Sequence, residues 1–160
     1  MVMRRADGRL GARKTLVEQS RLKESFVQRE LELLQKLALN PSENIVSPWA
    51  VVMAGKVLDS MIFEFCEETL SARWKRHNRI LPPEFTVELV RDMVCGLMHL
   101  HSMCVAHRDL KMDNMMLQVG AGGRVRLKLC DYGWCKPMTY ESSLATPVFA
   151  QCYRAPEIVL

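Results

Sequence analysis

Residues 107 to 114 place a carboxylate, an ammonium group and an amide close together in the chain: His107, Arg108, Asp109, Leu110, Lys111 and, after two intervening residues, Asn114. These are group types that phosphoryl transfer calls on. That reaction needs little covalent help from a protein, but it does need a positioned hydroxyl, neutralised phosphate charge and held metal ions. Three further groups could serve the same chemistry. Asp131 opens the triplet Asp131-Tyr132-Gly133, Lys14 ends the run Gly11-Ala12-Arg13-Lys14, and Glu30 lies within an apolar pattern of helical period. The alternative reading is a charged surface loop with unrelated solvated residues elsewhere.

Bringing these groups together requires a particular set of elements. Residues 1 to 15 read as two short strands around a turn at Asp7-Gly8. Residues 22 to 38 read as a helix with Phe26, Leu33, Leu34 and Leu37 on one apolar face. Glu30 falls on that face, where a carboxylate needs a cation or must take up a proton. Lys14 is the candidate cation; otherwise Glu30 lies at the edge of the face, in solvent. Asn40-Pro41 ends the helix. Two apolar runs, 49 to 53 and 57 to 65, are joined by Ala54-Gly55-Lys56 and read as a second hairpin. From Glu67 the pattern turns helical. Pro82-Pro83-Glu84 opens a long helix, predicted to bury Phe85, Leu89, Val90, Val94, Leu97 and Leu100. That helix delivers the chain to residues 107 to 114. Met115-Met116-Leu117 and residues 125 to 130 read as strands on either side of the turn Gly120-Ala121-Gly122-Gly123.

The spacing H-R-D-L-K-x-x-N resembles the catalytic loop of a protein kinase, and the other landmarks follow in that family's order. The resemblance implies that Asp109 accepts or orients the proton of a substrate hydroxyl. It also implies that Lys111 faces the transferring phosphoryl group and that Asn114 and Asp131 hold Mg²⁺, a hard cation suited to oxygen ligands. Gly11-Ala12-Arg13-Lys14 resembles the V-A-x-K strand, with Ala12 over the adenine and Lys14 on the phosphates, paired with Glu30. Val2 falls where the valine trailing the glycine-rich loop would lie; the G-x-G-x-x-G loop itself is absent from the sequence. Ile62-Phe63-Glu64-Phe65-Cys66 resembles a kinase hinge. Phe63 would be the gatekeeper, the Glu64 carbonyl and the Cys66 backbone would meet the adenine edge, and Met116 would floor the adenine pocket. Lysine two residues after the catalytic aspartate resembles the serine/threonine kinases. The wording Phe-Glu-Phe, and Arg154 before Ala155-Pro156-Glu157, resemble the cyclin-dependent and mitogen-activated group, which often favours proline after the target residue.

The sequence departs from that group at three places. Tyr132 stands for phenylalanine in D-F-G, Ala150 for a threonine that bridges the catalytic aspartate and lysine, and Cys152 for an aromatic residue. The resemblance further implies a phosphate pocket in the activation segment, formed by Arg29, Arg108 and Lys136, with Thr146 as the candidate phosphosite. The alternative is three solvated basic residues.

The implied fold is α+β and bilobal. Residues 1–66 would form a small antiparallel-sheet N-lobe without its glycine-rich loop. Residues 67–160 would form the first part of a helical C-lobe through the A-P-E motif, so that together they make one partial kinase domain. ATP and Mg²⁺ are the implied cofactors, a protein the implied substrate, and a regulatory protein a further implied partner. Three functional readings stay open: a serine/threonine protein kinase, a truncated non-catalytic module that binds nucleotide or a partner protein, and a small-molecule kinase.

Composition is compatible with these readings. The chain has 160 residues, 49% of them hydrophobic, enough for a real core. A net charge of +4, with no basic block, does not call for nucleic acid. The six cysteines include no C-x-x-C pair and read as reduced core thiols of a cytoplasmic or nuclear protein. No apolar run reaches the length of a membrane span, and the N-terminus lacks the apolar core of a signal peptide.

Overall fold

The computed structural model describes residues 2–3, 8–15, 24–55 and 57–138. Thr146, Ala150, Cys152 and the Ala155-Pro156-Glu157 motif lie outside the described residues. The first half is a four-stranded antiparallel sheet in the order β1-β2-β4-β3, formed by β1 (Val2–Met3), β2 (Leu10–Thr15), β3 (Pro48–Ala54) and β4 (Val57–Glu64). Both expected hairpins form. Gly8 and Gly55 take up positive φ in the two connections, as tight reversals require. Pro48 opens the edge strand β3, a position where its missing N–H costs no ladder bond. Gly11 is fixed by a close approach: a Cβ there would fall 2.8 Å from the Trp49 ring and 2.9 Å from the Phe63 carbonyl. No larger residue can occupy that position without displacing the tryptophan or the strand.

Helix α1 (Glu24–Leu39) packs on this sheet through Leu33, Leu34 and Leu37, all buried. Each such side chain contributes on the order of 1.5–3 kcal/mol by leaving water. The second half begins with β5 (Glu68–Thr69), too short to leave a periodic signal, where the sequence pattern predicts helix directly. Thr69 caps α2 (Leu70–Arg76), its hydroxyl accepting from the Ala72 amide at 3.1 Å. Arg73 and Arg76 both reach back to the Glu68 carboxylate, each at 2.6 Å.

The long helix α3 (Pro83–Ser102) has proline in its first turn, as predicted. Its buried face differs from the expected one. Leu89, Asp92, Gly96 and Leu100 are buried, while Val90 and Val94 lie on an exposed stripe. The reason is a backbone approach that an apolar count does not register. At Gly96 a Cβ would lie 2.7 Å from the Asn44 carbonyl and 3.0 Å from Leu129, and Asp92 accepts the Leu127 amide at 2.9 Å. A glycine and an aspartate thus set the helix's rotation. Beyond it come β6 (Val105–Ala106), a 3₁₀ turn at Met112–Asn114, β7 (Met115–Val119), β8 (Val125–Leu129) and β9 (Lys136–Pro137). Strands β5, β7 and β8 form one small antiparallel sheet, and β6 pairs with β9.

The two halves share one apolar core. It runs from Leu34, Leu37 and Met61 through Ile45 and Tyr132 to Leu100, Leu117, Leu127 and Leu129. The segment Asn44–Val46 stitches it together. Ile45 bridges Leu129 in parallel, Leu129 donates to the Asn44 carbonyl, Val46 donates to the Leu129 carbonyl, and the Asn44 amide reaches the Leu127 carbonyl. Among the described residues no helix is long and apolar enough to cross a membrane.

Candidate active site

Between the two halves lies a cavity of about 200 Å³, lined by Ala12 and Lys14 of β2, Glu30 of α1, Val46 before β3, Phe63, Glu64 and Cys66 at the end of β4 and the interlobe crossing, and Met116, Cys130, Asp131 and Tyr132 from the second half. Every residue that the resemblance assigns to ATP is among these except Val2, which belongs to β1 opposite Gly11.

Lys14 is the junction of the cavity. Its Nζ lies 3.2 Å from Glu30 Oε1 and 3.1 Å from Asp131 Oδ1. Burial works to lower the Lys14 pKa, but the two carboxylates more than offset it and hold the ammonium above its ordinary value. Glu30 is 7% exposed, so the expected position on the inner face of α1 and the expected lysine contact are both present. The Lys14 side chain is 42% exposed, open enough to meet a ligand.

The second cluster is built from the loop after β6. Asp109 is buried, and its Oδ2 receives Lys111 Nζ at 2.7 Å and Asn114 Nδ2 at 2.7 Å. The same Asn114 nitrogen donates to the Asp109 carbonyl at 2.8 Å, so the Asn114 Oδ1 makes neither of these bonds. The hydrogen bond that Lys111 donates to Asp109 is the first cause that raises the Lys111 pKa. The Asp109 amide donates to His107 Nδ1 at 3.3 Å, which makes that nitrogen the acceptor and leaves Nε2 to donate to the Cys130 carbonyl at 3.0 Å. Burial pushes the His107 pKa down, in keeping with this neutral tautomer. The Cys130 amide in turn donates to the Asn114 carbonyl at 3.0 Å, holding Asn114 beside the residue that precedes Asp131.

Arg108 and Asp131 both carry positive φ, 67° and 64°. Such backbone costs on the order of 1 kcal/mol or more at a non-glycine residue and is maintained only where surrounding bonds over-determine it. Here the His107, Asn114 and Tyr132 bonds do so. Tyr132 is 2% exposed, and its hydroxyl has the Val46 and Leu129 carbonyls both at 2.9 Å. The added hydroxyl of D-Y-G therefore finds a partner, and burial raises its pKa well above the usual value.

The donor set suits a hard cation. One carboxylate at Asp131 and one amide oxygen at Asn114 match the sparse protein ligation of Mg²⁺. Among the described residues no group of three or more His, Cys, Asp or Glu could hold a metal by itself. Of the basic residues assigned to a phosphate pocket, Lys136 sits opposite Ala106 in the β6–β9 pair, two residues from Arg108, and Arg29 directly precedes Glu30 on α1.

Sequence reasoning missed several residues of this region. Val46, Cys130 and the Tyr132 ring line the cavity. Lys128, Gln118 and Ser47 surround the Glu64 side chain. A lysine between Leu127 and Leu129 in an alternating strand ordinarily faces water, so the sequence carries no signal for Lys128. The cysteines also divide. Burial pushes the thiols of Cys66, Cys130 and Cys135 up to about 12, whereas Cys95 and Cys104 are exposed rather than in the core. Cys95 follows the outward-turned Val94 on α3, and Cys104 occupies the positive-φ turn behind that helix.

Comparison with known proteins agrees with this geometry. The family model described as protein kinase domain matches residues 1–160. Cyclin-dependent kinase 4 of Ovis aries is 33% identical over 137 residues, covering 82% of this chain and 44% of that protein. Cyclin-dependent kinase D-1 of Oryza sativa subsp. indica is 37% identical over 100 residues, covering 62% of this chain and 23% of that one. The chain thus spans less than half the length of these relatives. Among solved structures, the yeast RNA Pol II CTD kinase CTDK-1 complex superposes with a TM-score of 0.78 at 24% identity, covering 95% of this chain and 47% of the other, a likeness of fold. The Rad53 kinase domain superposes with a TM-score of 0.69 at 26% identity, covering 84% and 48%. The bilobal α+β fold, the matched family and these relatives agree: the chain belongs to the protein kinase domain family and resembles its cyclin-dependent members.

Proposed function

We propose that this chain carries the machinery for ATP-dependent phosphorylation of serine or threonine in protein substrates. The observation that carries the reading is the contact of Lys14 with both Glu30 and Asp131 in the wall of the interlobe cavity, with the Asp109–Lys111–Asn114 cluster bonded to the segment that precedes Asp131. In this reading Val2, Ala12, Phe63 and Met116 enclose the adenine, and the backbone of Glu64 and Cys66 meets its edge. Lys14 neutralises phosphate charge and is itself positioned by Glu30. Asp109 orients the substrate hydroxyl, and Lys111 offsets charge as it develops. Asn114 and Asp131 would hold Mg²⁺, which when bound supplies positive charge to the phosphates. The lobes divide at Cys66 and Glu67.

Arg29, Arg108 and Lys136 form the pocket for a phosphate on Thr146, and proline after the target residue is the preferred substrate context. A regulatory protein is a further partner; neither nucleic acid nor a membrane is required, and the setting is cytoplasmic or nuclear. Ala150, in the place of a threonine, favours a second reading: a module that binds nucleotide or a partner without transferring phosphate.

Thermal unfolding with Mg²⁺ and ATP tests the first step. A rise of about 5 °C or more is expected at nucleotide 100-fold above Kd, and it should be lost in Asp131→Ala. Radiolabel transfer to a serine/threonine peptide panel, abolished in Asp109→Asn, separates the two readings. Binding without transfer supports the non-catalytic module, and no binding overturns both nucleotide readings.

A further inference from the structure

A second lysine–carboxylate cluster adjoins the cavity: Glu64 lines it and Lys128 does not. Lys128 is 6% exposed and lies on β8 directly opposite Met116, the cavity-lining residue of β7. Its Nζ donates to Glu64 Oε1 at 2.8 Å, and Glu64 is the last residue of β4. The same carboxylate oxygen accepts the Ser47 amide at 2.6 Å, while Glu64 Oε2 accepts Gln118 Nε2 at 3.1 Å. That Gln118 nitrogen also donates to the Phe65 carbonyl at 2.9 Å, and the Glu64 amide donates to the Ser47 carbonyl at 2.9 Å. The segment from Glu64 to Phe65 is therefore held from behind by groups on β7, β8 and the entry to β3.

This arrangement costs desolvation. An ammonium and a carboxylate removed from water stabilise a fold poorly compared with apolar residues of similar volume, yet breaking one partner away is expensive. The contacts select a geometry: they fix where the backbone of residues 64 to 66 stands relative to Met116. We propose that Lys128 is a positioning residue for base recognition, acting through Glu64 to set the spacing between the crossing segment and the pocket floor. The proposal rests on the nucleotide-binding reading above. It adds that discrimination between bases depends on a residue that does not line the cavity.

Adenine and guanine differ in the sense of their edge groups, an amino donor in one and a carbonyl acceptor in the other at position 6. Backbone groups discriminate between them only while held in place. The test measures ATP and GTP dissociation constants on the full chain for the wild type, Lys128→Met, and the double variant Lys128→Met with Glu64→Gln. The double variant removes both buried charges and keeps an acceptor for Ser47. The wild type should prefer ATP, and the preference should fall about tenfold in both variants, with GTP binding changed less than ATP binding. General loosening of the fold would weaken both nucleotides together and leave their ratio unchanged. A double variant that melts cooperatively and keeps the wild-type ratio overturns the proposal. So does one with no cooperative melt, because the pair would then be part of the folding core. A wild type that binds neither nucleotide overturns the parent reading itself, an outcome distinct from both.

Discussion

Two lysines flank one cavity, and their surroundings are opposite. Lys14 stands on the ligand side, 42% exposed at its side chain, between Glu30 and Asp131. Lys128 stands behind the crossing segment, its side chain 7% exposed, bonded among the described residues to Glu64 as its charged partner. Both are cations paired with carboxylates, yet only the first is placed to meet an anion arriving from solvent. The second is sealed and can act only on the protein around it. Charge type alone does not distinguish a reacting group from a positioning group; burial and the direction of the partner do.

The comparison can be broken most forcefully on the open side. Lys14→Met should lower phosphoryl transfer by about 10²-fold or more, and because it leaves Glu30, 7% exposed, without its cation, it should also cost about 1–3 kcal/mol of stability. A calorimetric scan beside a transfer assay checks both halves of that statement. On the sealed side the balance should reverse. Lys128→Met leaves the Glu64 carboxylate buried without its cation and should cost about 3 kcal/mol of stability, visible in urea titration. A loss of phosphoryl transfer in Lys128→Met as large as in Lys14→Met would erase the distinction.

A smaller effect is expected at Gly96, which belongs to the sealed region through Asn44 and Leu129. Gly96→Ala should destabilise by about 1–3 kcal/mol, because a methyl group 2.7 Å from a carbonyl oxygen forces α3 outward. Tyr132→Phe should cost about 1 kcal/mol, since the Leu129 carbonyl keeps the Val46 amide as a donor while the Val46 carbonyl loses the hydroxyl. The smallest effect concerns acid. The folded His107 pKa lies below its ordinary value, so the unfolded chain binds the extra proton first as pH falls. The stability that neutral His107 contributes is fully present above about pH 6.5 and is lost as pH falls through the folded value. His107→Gln should flatten that part of the stability–pH profile, measured by chemical denaturation at a series of pH values.

The legible parts of the site were those written in local spacing. Asp109, Lys111 and Asn114 fall within one short loop, and the loop's backbone leaves them little choice but to meet. Glu30 was legible because helical period placed a carboxylate among leucines, which demanded a cation. Lys128 was not legible, because a lysine in an alternating strand ordinarily faces water and its partner lies 64 residues away in sequence. The rotation of α3 was misread for a related reason. Val90 and Val94 make a convincing apolar stripe, whereas Gly96 and Asp92 decide the packing through a backbone approach and one hydrogen bond. Strand β5 has two residues and therefore no period to detect.

Two attachments of the first half to the second are fastened to neighbouring residues of one strand. The segment Asn44–Val46 is bonded to Leu129, and Glu64 to Lys128. Sliding one half across the other would break both sets of bonds at once. The relative position of the cavity's two walls is thereby set largely at one place, beside the peptide that joins Lys128 to Leu129.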